Sequence, residues 1–201
     1  MLKRFIFVLC FCLHTVVFAG DPVVDFVQNL TDDIIENVLA KKMSKEERLA
    51  EFKKEFTAAL DLRSIGQFVL GRYWKTSDKK TQDDFLTAFV DFATQSWADK
   101  FDLYTGQDIQ FTGVRTAAGN QYYVNSQIMN NPPVEVVWRV REKNGAYRIV
   151  DIVVEGVSMA MSYRSEYASF LQQKGGNVSA LTAELIQKTA DLQKTQGKES
   201  K

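Results

Sequence analysis

The spacing of apolar residues changes twice along this chain, and those changes restrict its fold more than any other feature. Up to Gly106 apolar side chains recur at helical spacing. From Asp108 to Val154 they fall into strand-like runs, and beyond Ser158 helical spacing returns. Helices and strands in separate blocks argue for an α+β domain, not for a parallel sheet wound with alternating helices. The 201 residues suit one domain with a sizeable core.

Local signals divide the blocks. Asp21-Pro22 is a cap followed by proline at the first helical position, with Val23, Phe26, Val27, Leu30, Ile34 and Val38 on one face behind it. Ser44 and Glu47 form a capping box ahead of Leu49, Phe52, Phe56 and Leu60. A short helix from Asp61 ends at Gly71. Ser77-Asp78 opens the longest helix, which carries Phe85, Phe89, Phe92, Ala93, Trp97, Phe101 and Tyr104 on one broad aromatic face.

Three turn signals then separate four predicted strands: Ala117 to Asn120, Asn130-Asn131-Pro132-Pro133, and the hairpin dipeptide Asn144-Gly145. Val134, Val136, Trp138 and Val140 alternate with Glu135, Arg139 and Arg141. Ala146 to Val154 is apolar on both sides, which places it centrally or under helices. The expected architecture is a four-stranded curved antiparallel sheet with several helices packed on one face and an apolar cavity between them. Tyr163, Tyr167, Phe170 and Leu171 mark the next helix and Leu181, Leu185 and Leu192 the last, with a polar end from Gln193 to Lys201 expected to fray.

Residues 1–19 read as a signal peptide: Lys3 and Arg4, an uncharged apolar run from Phe5 to Phe18, and a Val17-Phe18-Ala19 site with cleavage after Ala19. The run is short for a membrane span. Leu9 and Phe11 are too bulky to precede a lipidated Cys10 or Cys12. Processing would leave a single domain over 20–201 without cysteine or histidine, because Cys10, Cys12 and His14 all lie in the leader. That removes disulfides, thiolate nucleophiles, Cys/His zinc sites and histidine bases. The processed chain carries 23 basic residues (25 minus Lys3 and Arg4) against 25 acidic, so the basic footprint of a nucleic-acid binder is missing.

Other chemistry is sparse. There is no phosphate-binding glycine loop and no EF-hand spacing. Asp32, Asp33 and Glu36 read as a solvated helix face. Asp151, inside an apolar strand, needs a partner, and with Glu155 it reads as structural support at a strand-to-helix turn. Arg72-Tyr73-Trp74-Lys75 reads as a helix-terminal anchor. No catalytic residue, metal or cofactor is assigned.

Phe68-Val69-Leu70-Gly71-Arg72-Tyr73-Trp74-Lys75, Phe85-x3-Phe89, the run Asp151-x3-Glu155-Gly156-Val157-Ser158, and Phe170-Leu-Gln-Gln-Lys174-Gly175 together resemble the MlaC, or toluene-tolerance, family in order and spacing. The Asn130 to Pro133 turn and the last helix depart from that pattern. The resemblance implies a soluble periplasmic phospholipid carrier that is not an enzyme. Its implied cargo is glycerophospholipid, and it would shuttle this between an outer-membrane lipoprotein-porin complex and an inner-membrane ABC transporter with an MCE-domain subunit, maintaining outer-membrane lipid asymmetry.

The lipid-lining residues expected are Phe89, Phe92, Ala93 and Trp97 of the aromatic helix with Val136, Trp138, Val140, Ile152 and Val154 of the sheet. Val69, Leu70, Val157 and Met161 are expected at the rim or floor. The same residues also suit a plain core, or an exported binding module for another apolar ligand.

Overall fold

The computed structural model describes residues 20–101 and 104–199, with side chains at 98–101 and 196–199 not described. The predicted leader and its cleavage site, and the Phe101 side chain assigned to the aromatic face, lie outside the described residues.

Helix α1 (Pro22–Ile34) starts where the Asp21 carboxylate accepts from the Val23 N–H at 3.1 Å, and it runs on into a single π-turn, Ile35–Leu39. Helix α2 (Lys45–Ala59) opens on the predicted capping box: Ser44 Oγ accepts from the Glu47 N–H at 3.1 Å, and Glu47 Oε2 accepts from the Ser44 N–H at 2.9 Å. Helix α3 (Leu62–Leu70) is capped by Asp61 and stops at Gly71, whose φ of 55° and ψ of −121° suit only glycine. Helices α4 (Arg72–Thr76) and α5 (Lys79–Phe101) follow.

Strands β1 (Ile109–Ala117), β2 (Gln121–Ile128), β3 (Val134–Lys143) and β4 (Ala146–Val154) form the predicted antiparallel meander. A short fifth strand, β5 (Val157–Ser158), extends it. It exists because Glu155 and Gly156, at φ 49° and 77°, make a two-residue hairpin like that at Asn144 and Gly145, at 54° and 73°. Glu155 is held in this left-handed conformation from both ends. Its N–H donates to the Glu135 carbonyl at 2.9 Å, and its carboxylate accepts from the Glu135 N–H. Helices α6 (Met159–Gln173) and α7 (Val178–Glu199) complete the described chain. The segment expected to fray from Gln193 continues α7, where Gln193 donates to Gln95 at 3.4 Å.

The two-sided apolarity of β4 has a local cause. Val140 faces Ile149 across the β3–β4 ladder, whereas Arg139 faces Asp151, so Val150 is an extra residue in a bulge. Side-chain parity switches there. Ile149 before the bulge and Ile152 and Val154 after it share the face of Val140, Trp138 and Val136.

Two apolar cores result. The helical core joins Val69, Leu70, Trp74, Phe85 and Phe89 to Tyr167 and Leu171 of α6 and to Val178, Leu181 and Leu185 of α7. The sheet core joins Val124, Val136, Val140, Ile149 and Ile152 to Val23, Val24, Val27 and Leu30 of α1 and to Ala59 of α2. The inner face of the sheet is therefore covered mainly by α1 and the end of α2, and not by the aromatic helix α5 as the sequence suggested. The aromatic face of α5 is already occupied. Phe85 and Phe89 meet Tyr167 edge-on at 6.0 and 6.2 Å, and Phe89 meets Tyr163 at 5.2 Å. A backbone hydrogen bond ties the cores together: the Asp61 N–H donates to the Ile149 carbonyl at 2.9 Å.

Candidate functional site: an apolar cavity on the seam between two cores

A cavity of about 60 Å³ lies where the two cores meet. Phe56, Thr57 and Leu60 of α2 and Leu62 and Ile65 of α3 form one side. Phe89, Val90, Ala93, Thr94 and Trp97 of α5 form another. Val150, Asp151 and Ile152 of β4 and Met159, Ala160 and Tyr163 of α6 close it. Its residues come from both cores, Ile65 and Phe89 from the helical one and Ile152 from the sheet core. Val150, the extra residue of the bulge, lines it beside Asp151 and Ile152, which still alternate across the strand opposite Arg139 and Trp138.

The polar atoms in this wall are largely occupied. Thr94 Oγ1 donates to the Val90 carbonyl at 2.8 Å and Thr57 Oγ1 to the Lys54 carbonyl at 3.2 Å. Asp151, only 5% exposed, accepts three bonds: from the Ala160 N–H at 2.9 Å, from Ser158 Oγ at 2.6 Å, and from Arg139 Nη1 at 3.3 Å. Ser158 Oγ in turn accepts from the Met161 N–H at 3.1 Å. The Asp151-to-Ser158 run is thus a clasp that fixes the start of α6 to β4. Its carboxylate is taken up in this clasp, and the Glu155 carboxylate is taken up in the hairpin by the Glu135 N–H. Burial, reinforced by the Glu166 carboxylate, pushes the Tyr163 hydroxyl up to about 12. Burial likewise raises Tyr167, with smaller contributions from Tyr163 and Glu166.

Phe89, Ala93, Trp97 and Ile152 of the sequence-predicted set line this cavity. The others lie elsewhere. Val69 and Leu70 are inside the helical core. Phe92 packs against Tyr163, ring centroids 6.4 Å apart. Val136 and Val140 are buried in the sheet core, with Trp138 and Val154 packed partly buried against it. Val157 and Met161 are on the surface, 57% and 53% exposed.

The sequence reading missed the α2–α3 wall and Tyr163. Phe56 and Leu60 were visible as a narrow apolar stripe, but nothing local said what that stripe would meet. The Arg72-Tyr73-Trp74-Lys75 cluster is the helix anchor expected: Trp74 is buried and Arg63 stacks on its ring at 5.2 Å. Among the described residues no group of His, Cys, Asp or Glu could hold a metal, and no helix is long and apolar enough to cross a membrane.

A model of the family described as MlaC protein matches residues 27–187. A Haemophilus influenzae protein named intermembrane phospholipid transport system binding protein MlaC is 25% identical over 122 residues. That match covers 58% of this chain and 57% of the other, so the chain spans little more than half the length of this relative. A solved structure of a phospholipid-binding protein from Ralstonia solanacearum, in complex with a phospholipid, superposes with a TM-score of 0.76 at 20% identity. It covers 84% of this chain and 97% of that one, which is a likeness of fold.

Proposed function

Because this chain belongs to the MlaC family, we propose that it is a periplasmic carrier for glycerophospholipid, exported by the leader at residues 1–19. Its route runs between an outer-membrane lipoprotein-porin complex and an inner-membrane ABC transporter with an MCE-domain subunit, and its work helps keep the outer membrane asymmetric. The observation that carries this reading is the cavity itself: an apolar space on the boundary of two cores, whose one carboxylate is already paired.

The physics of carriage needs little more. A phospholipid holds about thirty methylenes, each worth roughly 0.8 kcal/mol on leaving water, so an unaided crossing costs on the order of 20 kcal/mol. An apolar pocket removes most of that barrier without nucleophile, metal or histidine. The carrier sets no direction, because it shifts a lipid only by differences in affinity between its states.

Drug-sized ligands occupy pockets of about 300–1,000 Å³, whereas this cavity measures about 60 Å³. Tails therefore enter by widening it. The seam is the natural place, since each core keeps its own internal contacts when the two are parted. Phe89, Ala93, Trp97 and Ile152 would touch the tails first. Val136, Trp138, Val140 and Val154 would join only as α1 lifts from the sheet. The small size of the cavity favours one competing reading, a smaller apolar ligand.

Native mass spectrometry of the processed protein, followed by solvent extraction, separates the two. A bound mass in the phospholipid range supports the proposal. A smaller apolar ligand, or protein that stays empty when offered phospholipid, refutes it.

A further inference from the structure

The hydroxyl of Tyr167 is a polar group that finds no partner among the described residues. The residue is 1% exposed, and its Oη makes no hydrogen bond to any described residue. Buried polar atoms are nearly always paired, because an unpaired one forfeits its hydration for nothing. Phenylalanine would make the same ring contacts without that loss. The ring is well held, stacked on Tyr163 at 5.7 Å and edge-on to Phe89 at 6.2 Å. Phe89 and Tyr163 are both walls of the cavity, so Tyr167 stands one side chain behind them.

We infer that Tyr167 Oη donates a hydrogen bond to an acyl ester carbonyl of the bound phospholipid once the tails have widened the cavity past Phe89 and Tyr163. The inference rests on the phospholipid reading above. Its chemistry follows from what a diacyl lipid can offer. The phosphate stays in water, because burying an ion costs far more than burying a dipole. The ester carbonyls are the strong uncharged acceptors nearest the tails, and they have no hydrogen to donate. A phenol supplies one, and burial keeps it protonated. A dialkyl ether lipid has equivalent tails and the same head group but lacks the carbonyls, so it would leave Tyr167 as unpaired as it is in the empty protein. The residue would therefore set a preference for ester-linked over ether-linked lipid.

The test loads lipid-stripped, processed protein with an equimolar mixture of dioleoylphosphatidylethanolamine and its dialkyl ether analogue, and reads the bound ratio by native mass spectrometry. The diester should exceed the diether by roughly five- to tenfold, the size of one buried neutral hydrogen bond. Tyr167→Phe should load both equally, and its melting temperature without lipid should not fall. Equal loading by the wild type overturns the inference, and that comparison needs no variant. So does a Tyr167→Phe protein that keeps the full preference. A wild type that loads neither lipid overturns the phospholipid reading itself, and this contact with it.

Discussion

Ala93→Leu tests the cavity most directly. Ala93 is 8% exposed and lies in the cavity wall between Phe89 and Trp97 on α5. The substitution adds three carbons, which at about 0.8 kcal/mol each could contribute about 2.4 kcal/mol if fully buried. The space limits the gain. At about 24 cal/mol per Å³ of void, filling 60 Å³ returns at most about 1.4 kcal/mol. Ordering a leucine side chain costs about 0.5–1 kcal/mol, so the lipid-free protein should gain up to roughly 0.4–0.9 kcal/mol. For a chain of this size that raises the melting temperature by about 1–4 °C. The same leucine occupies space the tails need, so lipid recovered per protein should fall. Differential scanning calorimetry on stripped protein, with lipid extraction from freshly purified protein, reads both effects. A lowered melting temperature would mean that Ala93 sits in a close-packed core, where overpacking costs about 1–3 kcal/mol. A stabilised variant with undiminished lipid would place the tails away from α5.

Asp151→Ala should destabilise by about 2–3 kcal/mol in urea titrations. This lies below the usual cost of breaking a buried pair because the Arg139 side chain keeps 33% of its exposure. Asp151→Asn, which keeps acceptors for the Ala160 N–H, should lose less. Gly71→Ala should cost about 1–3 kcal/mol by the same assay, from its disallowed backbone angles alone. A Cβ there would also stand 3.2 Å from the Arg164 guanidinium that bonds the Phe68 carbonyl. Tyr163 gives a pH dependence with a defined sign. The unfolded phenol ionises near 10.0 and the folded one at about 12, so its contribution is complete below pH 10 and is lost as pH rises toward 12. Urea midpoints across that window should fall less steeply in Tyr163→Phe, and an identical slope would refute the assignment.

Whatever rests on contacts within a few residues could be read from the chain alone. Ser44 and Glu47 cap α2, Asp61 caps α3, Gly71 ends it, and Asn144-Gly145 turns β3 into β4, each because the bond or dihedral involved closes within one turn of backbone. The change of apolar period at Asp108 likewise separated helical from strand chemistry, and the Asp151-to-Ser158 run was recognisable before its hydrogen bonds were known. Tertiary structure decided which apolar face meets which. Hydrophobic burial is non-directional, so the stripe on α5 and the alternation in β3 were each compatible with facing the other. In the folded protein α5 instead spends Phe85 and Phe89 on α6, while α1 takes Val136 and Val140. Nor does local pattern place a bulge at Val150, since the extra residue is defined only by the register of β4 against β3. The cavity is a product of those long-range choices. It forms where two separately satisfied cores abut without filling the seam between them, a property of the packing and of no single segment of the sequence.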